Sequence, residues 1–184
     1  MNIPNALTFG RILVIPVFIG AFYFDGPAAA WLTFALFTGA AATDFLDGWL
    51  ARRLNQQSSI GRVFDPIADK LLVAAALVML VALDRAGAIP VVAILCREVL
   101  VAGLREGLAG SLTIHASKLA KGKTASQMAA ICVLLIAPAF PAMAALATAG
   151  EILLWLAVAL TWVTGLDYLR AAMRHIQNPT EGVG

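Results

Sequence analysis

Six apolar stretches follow one another along this chain, at about Ala6 to Phe24, Ala28 to Arg53, Gly61 to Leu83, Ile89 to Ala109, Thr124 to Leu146 and Ala149 to Arg174. A helix needs roughly 20 predominantly apolar residues to cross a bilayer, and each stretch is of that order. In hydrocarbon a helix satisfies its backbone hydrogen bonds within its own segment, so the pattern predicts an all-α integral membrane protein with six transmembrane helices. The chain has 184 residues, which leaves room for a single membrane domain over 1–184 and no separate soluble one. Composition agrees: 61% of residues are hydrophobic and 13% charged, against about half and about a quarter in soluble proteins.

The polar connections are Leu54 to Ile60, Asp84 to Ala88 and Gly110 to Lys123, and the tail Gln177 to Gly184 is expected to fray. With both termini on one side, that side collects Arg11, Arg52, Arg53, Arg62, Lys118, Lys121, Lys123, Arg170 and Arg174, whereas the opposite loops hold only Arg85. Basic residues stay cytoplasmic, so both termini are placed in the cytoplasm of a bacterial cell and the protein in its cytoplasmic membrane. Arg11 ahead of an apolar run, with Ala28 to Ala30 after it, imitates a signal peptide; Pro16 and the aromatics inside the run, with the charge pattern, favour a retained first helix. The net charge of +2 is too small to argue for nucleic acid. Cys96 and Cys132 lie inside apolar runs and, with His115 and His175, offer no metal or disulfide spacing; packing is their expected role.

Four carboxylates stand out, because Asp44, Asp47, Asp65 and Asp69 fall inside the second and third stretches. Each costs roughly 2.5–3.5 kcal/mol at a helix centre in a membrane, so compensation is required. At 1.5 Å per residue, Asp47 and Asp65 lie about 7–9 Å inside the intervening loop, and Asp44 and Asp69 about 13 Å inside. Asp44 and Asp47 are three apart and Asp65 and Asp69 four apart, so each pair shares a helix face. Two neighbouring antiparallel helices would bring the pairs together, and such oxygen-rich, mutually repelling groups suit Mg2+, Mn2+ or Ca2+ between them. Gly48 and Ala51 share the face of Asp44, and Gly61 begins the next helix, leaving room for a ligand. Arg52 at the edge, and Arg62 one turn from Asp65, suit a diphosphate.

These residues stand as DFLDGWLAR, eight residues, then GRVFDPIAD, and resemble the signature DxxDGxxARx8GxxxDxxxD of the CDP-alcohol phosphatidyltransferase family at every fixed position. The resemblance implies a six-helix membrane fold, a homodimer, and a site open to the cytoplasm holding two divalent ions, Mg2+ or Mn2+. It implies that Asp44, Asp47, Asp65 and Asp69 bind metal and that Asp69 also serves as base. Asp44, Gly48, Ala51, Arg52 and Gly61 would contact CDP-diacylglycerol, whose tails stay among the membrane lipids.

The opening NIPNALTFGRILVIP, and REVLVAGLREGLAG followed by SKLAKGKTASQM, resemble the branch of that family whose acceptor is glycerol 3-phosphate. An acceptor with its own phosphate calls for further cations, and Arg62, Arg105, Lys118, Lys121 and Lys123 are the candidates, most of them in a segment of about 105–124. Ordinary cytoplasmic topology would also put lysines there. Arg105 lies seven residues after Glu98, nearly on one face, so an ion pair between them is the competing role. Serine, inositol phosphate or phosphatidylglycerol as acceptor remain open alternatives. A divalent-cation transporter would bury aspartates too, but nearer the midplane and with a second set in a repeat. A membrane prenyl transferase would hold its acidic motifs in separate halves. Two patterns are expected to be inert: Gly103 and Gly107 form a GxxxG pair of the kind that packs or dimerises helices but is frequent in membrane spans, and Lys121-Gly122-Lys123-Thr124 imitates a phosphate loop without the preceding strand.

Overall fold

The computed structural model describes residues 3–54, 59–108 and 118–177, with side chains described for 10–43, 67–108 and 122–177. Among the described residues there are six α-helices and no strand: α1 (Ile3–Ala21), α2 (Pro27–Leu54), α3 (Ser59–Ala82), α4 (Ala88–Gly107), α5 (Lys118–Ile136) and α6 (Ala144–Gln177). They form two compact units, one of Met1–Ala86 with Ile131–Thr148 and the other of Gly87–Ala130 with Ala149–Gly184.

Helix ends follow from local chemistry. Pro27 opens α2, where a missing N–H costs nothing, and Gly26 ahead of it takes φ 81°, which a glycine adopts without strain. At the end of α3 the Arg85 N–H donates to the Leu80 carbonyl (2.8 Å) and the Asp84 N–H to that of Val81 (3.0 Å). Asp84 itself sits at φ 54°, so this is a Schellman stop built on an aspartate in place of glycine. Gly87 is the N-cap of α4, and its N–H donates to Glu151 Oε1 of α6 at 2.7 Å.

The fifth apolar stretch does not run to Leu146. α5 stops at Ile136, a 3-10 turn covers Ala137–Ala139, and Leu146 already belongs to α6. Pro138 and Pro141 are the reason, since neither can donate the N–H that would carry the helix on. α6 correspondingly starts earlier and spans 34 residues, about 51 Å and well beyond a bilayer's hydrocarbon.

In the first unit α1 packs on both α2 and α3, and α2 also touches α3 and the 3-10 turn. Phe18 is fully buried, its ring 5.1 Å from Phe22 edge to face and 6.1 Å from Phe37. Leu72, Ala76, Leu77 and Leu80 bring the buried face of α3 into this core. Thr33, Thr38 and Thr43 return their hydroxyls to the carbonyls of Ala29, Phe34 and Gly39 in α2, so none brings an unsatisfied donor into the apolar surroundings.

The outward faces are apolar as well. Leu13, Ile89 and Val99 are more than 70% exposed, and α6 presents Ile152, Trp155, Leu156, Val163 and Leu166 outward. A water-soluble surface does not carry apolar side chains on helix after helix, whereas lipid is their natural solvent. Two segments of the described residues are long and apolar enough to span a membrane, Gly122–Ala139 and Ala144–Gln177, with shorter apolar helices at Gly10–Ala21 and Pro27–Thr43. Cys96 is exposed, so it is not the packing residue its apolar neighbours suggest. Gly103 and Gly107 are exposed too, and among the described residues no atom lies within 4 Å of where a Cβ would stand at either.

Phe18→Ala should lower stability by roughly 2–3 kcal/mol, less than in a water-soluble core because lipid solvates the freed surface. Thermal unfolding in detergent measures it.

Candidate active site

Sequence places the aspartates on the one helix pair whose linkage is shortest. α2 carries Asp44 and Asp47 in its last turns, α3 carries Asp65 and Asp69 in its first, and the two helices touch. The side chains of Asp44, Asp47 and Asp65 lie outside the described residues, as do those of Ala51, Arg52 and Arg62; Gly48 is within α2 and Gly61 within α3. Asp69 is described, and it is exposed on α3 beside the fully buried Ala68. Three residues further on, a little under one turn, the same helix returns to the core with Leu72. α3 thus buries an apolar face in the first unit while holding Asp69 off it.

The donor set fits a hard divalent cation: four carboxylates on two touching helices, without the thiolates or imidazoles that softer metals prefer. Among the described residues no group of three or more His, Cys, Asp or Glu that could hold a metal ion is found.

The second unit holds Arg97, Arg105, Lys118, Lys121 and Lys123. Arg97 is buried within α4 and reaches α6 twice, Nε donating to the Thr161 carbonyl at 2.8 Å and Nη2 to Thr164 Oγ1 at 3.1 Å. Its Nη1 donates to Glu98 Oε1 at 3.1 Å. The same carboxylate oxygen accepts from Nζ of Lys123 on α5. All three side chains are largely shielded, with 9%, 21% and 12% exposure for Arg97, Glu98 and Lys123. Burial at that level is tolerable only because each charge is paired and hydrogen-bonded.

Glu98 therefore pairs with Arg97 and Lys123, and the competing ion pair with Arg105 is not what the structure displays. Arg105 is exposed on α4, its guanidinium 6.0 Å above the Tyr168 ring. Lys123 stands in the ion pair; Lys118 and Lys121 begin α5 with side chains outside the described residues. Arg97 is the residue that sequence reasoning overlooked. A charged side chain deep in an apolar run was the available signal.

α6 makes room for this arginine. A Cβ at Gly165 would stand 3.0 Å from Arg97 Nε and 3.1 Å from its Cγ, so a side chain there would push the arginine stem off its seat by a few tenths of an ångström.

The chain belongs to the CDP-alcohol phosphatidyltransferase family, whose model matches residues 1–163. Among its relatives, a protein of Rickettsia felis named CDP-diacylglycerol–glycerol-3-phosphate 3-phosphatidyltransferase is 45% identical over 175 residues, covering 95% of this chain and 97% of the relative. A Pseudomonas fluorescens protein of the same name is 41% identical, covering 96% of this chain and 93% of its own length. A rice protein named cardiolipin synthase (CMP-forming) is 37% identical over 95% of this chain and 58% of its own.

Arg105→Leu removes the ring contact with Tyr168 and should cost less than about 1 kcal/mol of stability, as exposed cation–π pairs do. A larger drop in unfolding temperature would mean that the guanidinium carries structural weight.

Proposed function

We propose that this chain transfers the phosphatidyl group of CDP-diacylglycerol to the hydroxyl of glycerol 3-phosphate, giving phosphatidylglycerol phosphate and CMP. The observation that carries the reading is the full-length similarity to several bacterial proteins named for that reaction. The complete DFLDGWLAR to GRVFDPIAD signature on α2 and α3 supports it.

In this reading the acceptor oxygen attacks the phosphatidyl phosphorus, the bond to the CMP oxygen breaks, and the acceptor proton passes to the Asp69 carboxylate. Asp44, Gly48, Ala51, Arg52 and Gly61 hold the nucleotide end of the donor. Two divalent ions, Mg2+ or Mn2+, held by Asp44, Asp47, Asp65 and Asp69, would neutralise the diphosphate and the charge that grows on CMP. Arg62, Arg105, Lys118, Lys121 and Lys123 receive the acceptor's own phosphate. Asp69 is suited to proton transfer by its exposure, which leaves a carboxylate accessible to a water-soluble alcohol.

The same proposal takes the whole chain as one membrane domain of six spans, with both termini and the site cytoplasmic and two copies forming a homodimer. The apolar exterior of the described helices supports the membrane setting. Phosphatidylglycerol as acceptor is a second reading, favoured by the rice relative's name.

Purified protein incubated with CDP-diacylglycerol and, in separate reactions, glycerol 3-phosphate, phosphatidylglycerol, serine and inositol phosphate should release CMP fastest with glycerol 3-phosphate. Product only with another acceptor would reject the specificity. Asp69→Asn should lower turnover by at least about a thousandfold, as loss of a general base combined with loss of a metal ligand implies. Near-normal turnover in that variant would remove Asp69 from its role.

A further inference from the structure

We propose that Arg97 and Glu98 are positioning residues for the acceptor: Arg97, seated on α6, fixes the Glu98 carboxylate, and that carboxylate aims the Lys123 ammonium at the acceptor phosphate. The inference rests on the proposed reading of Lys123 as a ligand of that phosphate. It adds a pair of residues that bind neither substrate.

The geometry has a direction. Arg97 spends Nε and Nη2 on α6, at Thr161 O and Thr164 Oγ1, and presents Nη1 to Glu98. A guanidinium is planar and holds its donors in a rigid fork, so two bonds to α6 fix where the third points. Thr164 is fixed in turn, because its hydroxyl donates to the Leu160 carbonyl at 2.9 Å while accepting from Arg97. Glu98 Oε1 thus becomes a stationary acceptor shared by Nη1 of Arg97 and Nζ of Lys123.

A lysine ammonium ends a flexible four-carbon stem and carries three donors. Holding one donor on Glu98 restricts the stem, and the restriction is lasting because the carboxylate itself is held. An ammonium ordered before the acceptor arrives does not lose that freedom on binding. Gly165 belongs to the same device, since any side chain there would meet the arginine at 3.0–3.1 Å. A plain staple between α4, α5 and α6 would use the same bonds, but it would not discriminate between the two substrates.

Steady-state kinetics with each substrate varied separately make that distinction. Glu98→Gln keeps the shape and removes the charge; it should raise KM for glycerol 3-phosphate about tenfold, the usual worth of a charged hydrogen bond, and leave KM for CDP-diacylglycerol within about twofold. Lys123→Met should do the same, and the double variant should be no worse than Lys123→Met alone, because Glu98 acts through Lys123. Gly165→Ala displaces Arg97 without touching any charge and should give the same one-sided change, which keeps the test intact if Glu98→Gln fails to fold. Asp167→Asn, in an exposed pair with Arg170 on α6, should change neither KM.

Equal rises in both KM values, an unchanged KM for glycerol 3-phosphate, or additive losses in the double variant would each overturn the inference. Wild-type protein that cannot use glycerol 3-phosphate at all would instead defeat the reading on which it rests.

Discussion

A charge inside an apolar helical body must bring its own solvent, and the second unit is organised around that requirement. Arg97 has no water-rich surface to reach, so the Thr161 carbonyl, the Thr164 hydroxyl and the Glu98 carboxylate take the place of hydration. Each of those partners comes with a positional demand. Thr161 and Thr164 set which face of α6 turns toward α4, Gly165 sets how closely the arginine stem can lie, and Lys123 brings α5 to the same carboxylate. Three helices are thereby registered by one side chain.

The first unit also buries a charge, Arg11 of α1, but most of its described core is aromatic and aliphatic, with Phe18 between Phe22 and Phe37 and with α1 lying against both α2 and α3. Hydrophobic burial alone discriminates weakly between one helix pairing and another when lipid is as apolar as leucine, so shape must decide. A fully buried ring meeting a second edge to face supplies shape. That packing holds together the two helices that carry Asp44, Asp47, Asp65 and Asp69, and it leaves Asp69 outside the core.

Much of the fold was legible as runs of apolar residues, because a membrane-spanning helix must be apolar over most of its length wherever it packs. The break between α5 and α6 was misplaced because Pro138 and Pro141 sit inside continuous hydrophobicity, and hydrophobicity alone says nothing of a missing N–H. Cys96 was misjudged for a related reason. In an apolar helix the side facing lipid and the side facing protein have the same composition, so exposure does not follow from residue type.

By itself the sequence determined the helical character of the chain, its apolar exterior and the spacing of the four aspartates, since these depend on periodicity and composition along one strand of covalent structure. The tertiary structure decided which charges meet. Glu98 and Arg105 share nearly one face of their helix by spacing, yet Glu98 pairs with the adjacent Arg97 and with Lys123, 25 residues away. Pairing energy depends on the distance and dielectric between side chains, and for groups on different helices only packing sets either.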